Sequence, residues 1–241
     1  MRFVFTFLFW LVVFGQINAQ STAYVFHGGL SMGFQRWANY FDRQPLFKNH
    51  AALSIESVNN DDDRNSIFAQ IGYHVRGSAT RLRFLQTLGG GVETISEEFR
   101  FNNLSLILGY KQKFPLGEKT KYFYYGGLRG DYTLSTNIDE LGVSQNIYLA
   151  AYYPSIGAMN RWMVGASAGG GIEFPFSDLI GGQLTISVHP DFLLQYYRPA
   201  FGNLIDPFNP GQTIPVQELS IRNLSLEISF GIRLLRKVVY E

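Results

Sequence analysis

The chain has 241 residues, a formal net charge of +1 and no cysteine. A charge this close to neutral gives no basis for a nucleic-acid-binding surface, and a chain without cysteine has neither disulfides nor thiolate metal sites. Beyond the first 20 residues, no segment reaches the roughly 18 consecutive apolar residues that indicate a membrane-spanning helix. These properties argue against a nucleic-acid binder, a disulfide-stabilised scaffold and a helical membrane protein.

The first 19 residues have the pattern of a secretory signal peptide. Arg2 supplies the positive charge, residues 3–14 form an apolar run, and Ile17-Asn18-Ala19 provides a small-residue cleavage site. The apolar run is short for a membrane anchor. We therefore expect residues 1–19 to be removed and residues 20–241 to form one all-β domain.

Eight segments of the remaining chain alternate apolar and polar residues with a period of two, which indicates β-strands. They cover residues 24–35, 50–58, 66–76, 103–113, 121–134, 162–174, 183–196 and 222–234. The last is the most regular, with six apolar residues from Leu224 to Leu234 on one face. A strand of about 9–11 residues spans the hydrocarbon of a membrane, with lipid-facing and lumen-facing side chains alternating.

The connections between these segments alternate in length. Those after the second, fourth and sixth segments are short and turn-like, whereas those after the first, third, fifth and seventh are much longer. Outer-membrane barrels with an even number of strands have short periplasmic turns and long extracellular loops. We therefore predict an all-β, eight-stranded antiparallel transmembrane β-barrel in a bacterial outer membrane, in contact with outer-membrane lipids and with both termini in the periplasm.

A soluble ligand-binding barrel alternates in the same way but buries its apolar face. Three features favour the membrane version: the apolar face carries no charge, the polar face is rich in small residues, and aromatic residues on the apolar face lie at the strand ends. The aromatics would form two interfacial girdles, with Tyr24, Tyr110, Tyr122 and Phe174 at the turn end and Phe34, Tyr73, Tyr132, Trp162 and Tyr196 at the loop end.

Two stretches fit this pattern less well. Pro190 lies inside the seventh predicted strand, where it removes a hydrogen-bond donor, so we expect a bulge or irregularity there. Residues 235–241 continue past the last predicted strand and would either extend its pairing or remain free in the periplasm.

Charged residues of both signs lie on the polar face, which the barrel would direct into its lumen. They are Glu56, Arg76, Lys111, Arg129, Asp131, Glu173, Asp191, Glu227 and Arg233. Eight strands leave an interior that side chains fill, and unpaired charges there would be costly. We expect a structural network of ion pairs; the alternative is an ion path or gate.

Ser187, His189 and Asp191 share one face of the seventh predicted strand and raise the possibility of a catalytic triad. Same-face neighbours on a strand lie about 6.6 Å apart, and we expect their side chains to project in parallel and not to meet within hydrogen-bonding distance. The histidines also lack metal-ligand spacing. The sequence therefore predicts no catalytic, cofactor-binding or metal-binding residues.

The predicted outer loops are less polar than ordinary loops. In residues 147–156 the apolar cluster consists of Tyr148, Leu149, Tyr152, Tyr153 and Ile156. Such loops either pack together as a lid over the barrel mouth or expose a patch to which a partner binds. This cluster is the candidate partner-binding loop.

The pattern of a β-hairpin is formed by residues 104–114, a short turn and residues 121–128. The later part of the same sequence pattern lies in residues 164–173 and in the last predicted strand. This pattern resembles the PorT-like outer-membrane β-barrel proteins that are typical of Bacteroidota. The resemblance covers most of the chain after the signal peptide, although the family commonly has proline inside the fourth strand, where this chain has Leu106 and Ile107. It implies a barrel without catalytic residues or a cofactor, and some members are accessory components of type IX protein secretion and gliding.

Two classes of function follow from these observations. The first is a non-enzymatic accessory subunit of an outer-membrane secretion or assembly complex, with other outer-membrane or periplasmic proteins as partners. The second is a free-standing surface barrel that binds a ligand or contributes to envelope stability.

Overall fold

A computed structural model describes residues 21–37, 43–58, 64–85, 92–140, 154, 156–205, 209 and 211–237. The strands are β1 (Ser21–Trp37), β2 (Arg43–Val58), β3 (Asn65–Leu85), β4 (Val92–Pro115), β5 (Lys121–Thr136), β6 (Trp162–Pro175), β7 (Ile180–Pro190), β8 (Tyr196–Arg198), β9 (Phe201–Ile205), β10 (Thr213–Val216) and β11 (Leu219–Lys237). Single 3₁₀ turns lie at Ile138–Glu140 and Ile156–Ala158. Within these ranges no helix is long and apolar enough to cross a membrane.

Eight of the strands form a closed antiparallel ring. Strands β1 to β7 pair in chain order, β7 pairs with β11, and β11 returns to β1. That closing pair runs the whole length of β1, from Ser21 opposite Lys237 to Trp37 opposite Ile221. The predicted eight-stranded antiparallel barrel is confirmed. The tail extends the pairing as far as Lys237.

The end of the barrel that carries the β2–β3, β4–β5 and β6–β7 turns is called the turn end, and the opposite end the loop end. The three turns at the turn end are short, as predicted. The long connections predicted after the first and third segments are wrong, because only residues 38–42 and 86–91 separate β1 from β2 and β3 from β4. Most of both stretches extends the strands: residues 43–45 pair with residues 78–80, beyond a register shift between Pro45 and Ala51 that interrupts the alternation.

The seventh strand is shorter than predicted. Strand β7 ends at Pro190, and the chain regains strand pairing only in β8, which pairs with residues 219–221 of β11. The irregularity that the sequence predicted at Pro190 is present: an isolated bridge between Gly165 and Asp191 follows the end of β7, and proline itself has no backbone N–H to donate to the ladder. The β9–β10 hairpin forms a separate two-stranded sheet in the connection from β7 to β11.

The outer face of the ring is apolar and exposed. Its large side chains include Phe26, Leu30, Ile55, Ile67, Ile71, Leu104, Leu106, Leu128, Val164, Leu184, Ile186, Leu226, Ile228 and Phe230. An apolar exterior on a closed ring is what a lipid-facing surface requires, but the expectation that this face carries no charge is wrong at the loop end, where Arg36 and Arg222 are exposed on it. Tyr132 and Trp162 make a ring contact at the loop end, as a girdle predicts. Tyr196 does not belong to that girdle, because it is fully buried in β8.

Candidate functional site

The barrel interior is the candidate functional site, because it contains all nine charged residues that the sequence directed inward. Eight of them are buried, and Arg233 is partly buried near the turn end. Three groups of polar side chains fill the interior. From the loop end to the turn end they are the loop-end cluster (Arg76, Arg129, Asp131 and Asp191), the histidine layer (His50, His74, His189 and Glu227) and the turn-end cluster (Glu56, Lys111, Lys113, Glu173 and Arg233).

The loop-end cluster pairs two arginines with two aspartates. Arg76 holds Asp131 with two bonds, of 2.6 Å from Nη1 to Oδ2 and 3.3 Å from Nη2 to Oδ1, and reaches Asp191 Oδ1 at 3.1 Å. Arg129 binds the same two carboxylates, with Nε 2.9 Å from Asp131 Oδ2 and Nη2 on Asp191. Asn223 Nδ2 donates to Asp191 Oδ2 at 2.9 Å. The formal charges of the cluster therefore cancel, and its carboxylates are held by charge-assisted hydrogen bonds.

The turn-end cluster is built around two lysines of β4. Lys111 Nζ binds Glu56 and lies 3.2 Å from Glu173 Oε1, whereas Lys113 Nζ lies 3.5 Å from Glu56 Oε2 and 3.3 Å from Glu173 Oε2. Arg233 Nε is 3.9 Å from Glu56 Oε2. Each glutamate thus contacts both lysines, which links β2, β4 and β6 across the lumen.

The histidine layer surrounds one carboxylate at mid-barrel. His74 Nδ1 lies 2.7 Å from Glu227 Oε1, and His189 Nε2 lies 3.1 Å from Glu227 Oε2. His50 Nε2 is 3.9 Å from the same Oε2 atom, and its ring stacks on that of His74 with 5.3 Å between centroids. The carboxylate therefore occupies the centre on which these three rings converge.

Sequence reasoning missed several of these residues. Lys113 shares the parity of Lys111 but was not assigned to the network, and His50 and His189 were considered only as metal or catalytic candidates. The available signal was strand parity, which places all three on the inward face. Parity alone does not tell which inward residues meet across the lumen.

The expected separation of Ser187 and His189 is wrong. Ser187 Oγ and His189 Nε2 lie 2.9 Å apart, because the long imidazole leans along the strand towards its neighbour. A triad is nevertheless not assembled. The ring nitrogen that faces Ser187 also faces Glu227, while Asp191 binds Arg76, Arg129 and Asn223. Within the described part of the chain, His189 Nδ1 has no hydrogen-bond partner, so no carboxylate there orients the ring as nucleophilic catalysis by a triad requires.

A small polar cavity lies between the histidine layer and the turn-end cluster. It has a volume of about 20 Å³ and is lined by His27, Ser54, Gln70, Tyr125 and Ser187, among others. A volume of this size accommodates about one water molecule. The described residues contain no group of three histidine or acidic side chains arranged to hold a metal ion.

An apolar cap closes the lumen above the loop-end cluster. It consists of Trp37, Phe99, Tyr196, Leu219 and Ile221, all at most 8% exposed. The guanidinium of Arg43 lies 3.2 Å from the centroid of the Trp37 ring, and Trp37 meets Phe99 edge to face. Beneath the cap, Gln35 Nε2 donates to Asn223 Oδ1 at 2.9 Å. These cap residues belong to strands β1, β4, β8 and β11, so they do not decide whether the predicted outer loops form a lid or expose a patch.

The candidate partner-binding loop lies largely outside the described residues. Tyr148, Leu149, Tyr152 and Tyr153 fall in the stretch 141–153, and the structure gives only the backbone of Ile156, in a 3₁₀ turn. The proposed binding role of this loop therefore stays a prediction.

No family model matches the chain, and no curated protein does. Solved barrels match over most of their length. The outer membrane protein OprG of Pseudomonas aeruginosa has a TM-score of 0.46 and 10% identity, covering 90% of this chain and 98% of its own. Neisserial surface protein A has a TM-score of 0.44 and 11% identity, covering 88% and 96%.

The N-terminal β-barrel domain of Pseudomonas aeruginosa OprF is a third match, with a TM-score of 0.41, 9% identity and coverage of 90% and 98%. These likenesses concern the fold and say nothing about activity. The barrel assignment rests on the strand pairing and the apolar exterior of this chain: it is an eight-stranded β-barrel of the outer-membrane type. The resemblance to PorT-like proteins rests on the sequence segments alone.

Proposed function

We propose that this protein is a non-enzymatic barrel of the bacterial outer membrane that acts by binding other molecules at its surface, and not by conducting solutes. The observation that carries the proposal is the filled lumen. Two ion-pair clusters, a histidine layer and an apolar cap follow one another from end to end of the interior.

A conducting role would need a continuous aqueous path through the lumen. The ion pairs and the apolar cap in the interior block such a path. An ion that passed the loop-end cluster would have to separate Arg76 and Arg129 from Asp131 and Asp191. Breaking a buried ion pair in this way typically costs about 3–5 kcal/mol. The aromatic rings of the cap add an apolar barrier above that cluster.

An enzymatic role also finds little support in the interior. Ser187 is 6% exposed and His189 is 2% exposed, and the adjoining cavity holds about one water molecule. A substrate would have no room beside the hydroxyl, and the histidine lacks an orienting carboxylate on its second nitrogen.

The orientation that we propose places the turn end in the periplasm and the loop end outside the cell. Short turns at one end and longer connections at the other, here residues 137–161 and 191–218, are the asymmetry of outer-membrane barrels. Both ends of the closing strand pair, Ser21 and Lys237, would then lie on the periplasmic side.

Conductance in planar bilayers tests the central claim. The refolded full-length barrel should give no steady channel current, because its lumen has no open bore. A large and stable conductance that changes when Arg76 or Arg129 is replaced would show instead that the clusters line a pore.

The form of binding favoured by the PorT-like resemblance is an accessory subunit of a secretion or assembly complex, such as a type IX or gliding apparatus. Mild-detergent purification from native membranes discriminates this role from a free-standing barrel, which would purify alone. Changing Tyr152 and Tyr153 to serine should release a bound protein and leave the heat-modifiable fold intact. A variant that folds and keeps all partners would exclude docking through this loop.

A further inference from the structure

Two arginines face each other on the outside of the barrel where the ring closes. Arg36 of β1 and Arg222 of β11 are direct partners in the β1–β11 register. Both side chains are exposed, and the residues on either side of them in both strands are buried inside the barrel. Directly opposed residues on one face have Cβ atoms about 4.5–5.5 Å apart, so the two guanidinium groups share one small area of the exterior.

Two like charges in this arrangement repel each other and destabilise the strand pair. An acidic neighbour would relieve the repulsion, but within the described residues neither Arg36 nor Arg222 makes a side-chain hydrogen bond or an ion pair. By contrast, the arginines of the loop-end cluster each contact two aspartates. Among the residues that the structure describes, the exterior pair therefore has no acidic partner of the kind that the interior pair has.

The backbone around the two arginines is held in place. On the lumen side, the adjacent cross-strand pair Gln35 and Asn223 is joined by a hydrogen bond of 2.9 Å. On the other side, Trp37 and Ile221 are partners in the apolar cap. The arginines are thus presented from a rigid ladder, which lowers the entropic cost of binding a ligand between them.

The position along the strands places the pair at the edge of the lipid-facing surface. The next outward-facing partners towards the turn end are Phe34 and Leu224, and Met32 and Leu226 follow them. The arginines therefore stand one cross-strand pair beyond an apolar strip at the loop end. In the membrane placement proposed above, this is the depth where lipid head groups meet acyl chains.

We propose that Arg36 and Arg222 bind a phosphate group of a phosphorylated lipid in the leaflet at the loop end. Guanidinium groups bind phosphate oxygens with paired, charge-assisted hydrogen bonds, and two of them would neutralise one phosphate. The apolar strip of Phe34, Leu224, Met32 and Leu226 would pack against the acyl chains of the same lipid, which a free phosphate ion cannot use. The proposal rests on the membrane placement proposed above.

Lipid binding by the refolded, full-length barrel in detergent tests the proposal. The probes are diphosphorylated lipid A, the same lipid without its phosphates, and inorganic phosphate, each measured by native mass spectrometry. The test variant is Arg36→Gln with Arg222→Gln. The control variant is Arg161→Gln with Arg236→Gln, which removes the same charge from exposed positions; Arg236 faces Thr22 and not another arginine.

The test variant should bind diphosphorylated lipid A about tenfold more weakly than the unmodified protein, because it loses charge-assisted bonds from two guanidinium groups. Its binding of the dephosphorylated lipid, and all binding by the control variant, should stay unchanged. In lipid-free detergent the test variant should resist denaturation better, because the repulsion is gone; a structural role for the arginines predicts the opposite.

Three results would overturn the proposal. Equal losses in the test and control variants would indicate diffuse attraction by surface charge. Unchanged binding in the test variant would exclude the pair as a site. Full competition by inorganic phosphate would assign the site to a free anion. Flotation of the barrel with lipid vesicles reports on membrane placement separately, so failure of that placement is distinguishable from failure of this site.

Discussion

His74 and Glu227 meet across the barrel, with 2.7 Å between Nδ1 and Oε1, although 153 residues separate them in the chain. The other oxygen of Glu227 lies 3.1 Å from His189 Nε2. One carboxylate thus joins β3, β7 and β11 in a single plane of the interior. This cross-link lies in the interior between the two ion-pair clusters.

Glu227→Gln should destabilise the barrel, because the new amide NH₂ cannot accept a hydrogen bond where a carboxylate oxygen did. Leaving a buried imidazole N–H without an acceptor costs about 1–3 kcal/mol. The fraction of heat-modifiable barrel as a function of urea concentration measures this loss. Glu218→Gln is the control, since Glu218 is exposed immediately before β11. Equal stability of the two variants would mean that the carboxylate does not organise the histidines.

Replacing Arg129 with methionine should be more damaging. Asp131 and Asp191 would then share Arg76 alone, and a buried pair broken on one side typically costs about 3–5 kcal/mol. The double variant with Asp191→Asn should regain much of that stability, because Arg76 and Asp131 keep their two bonds of 2.6 and 3.3 Å. The same urea titration compares the two variants. If the double variant were the less stable one, charge balance would not govern this cluster.

The alternation of residues was sufficient to predict the ring, its three turns and the inward direction of the nine charged residues. A period of two assigns each side chain to one face of its strand, and in a barrel one face points to the lipid and the other to the lumen. It could not pair Glu227 with His74. Residues that meet across a lumen lie on non-adjacent strands, and their heights depend on the tilt and register of every strand between them.

The ends of the strands were harder to predict for a different reason. The register shift between Pro45 and Ala51 interrupts the alternation in β2, so the pattern of residues 43–49 predicts a loop, although residues 43–45 pair with β3 and residues 46–49 with β1. At Pro190 the predicted strand is too long and not too short, because the alternation of apolar and polar residues continues beyond the end of β7. In both places the end of the strand is set by backbone hydrogen bonding, which the alternation of side chains does not predict.

Gly165 should not tolerate a side chain. A Cβ atom there would lie 2.3 Å from the carbonyl oxygen of Pro190 and 2.7 Å from Arg129 Nη2. Gly165→Ala must therefore displace the backbone or the guanidinium, and overpacking of this kind costs about 1–3 kcal/mol. Gly130→Ala is the matched control, because no heavy atom lies within 4 Å of its Cβ position. Unfolding in urea should separate the two alanine variants, and identical midpoints would contradict the close packing at the loop-end cluster.

The last prediction concerns the orientation of the barrel in the membrane. Glu118 lies exposed in the β4–β5 turn, and Gln217 lies exposed between β10 and β11 at the loop end. The natural chain has no cysteine, so single cysteines at these two positions are the only thiols that a maleimide can label. In intact cells, a membrane-impermeant maleimide should label Gln217→Cys and spare Glu118→Cys, and both should react once the outer membrane is permeabilised.

The labelling result separates three arrangements. Reaction of Glu118→Cys alone in intact cells would invert the proposed topology, although the barrel itself would stand. Reaction of both positions would mean that the chain does not cross the membrane between them. The expected pattern, labelling at Gln217→Cys only, places Arg36 and Arg222 in the outer leaflet, since both lie at the loop end with Gln217. That leaflet is where the proposed phosphate-bearing lipid would have to reside.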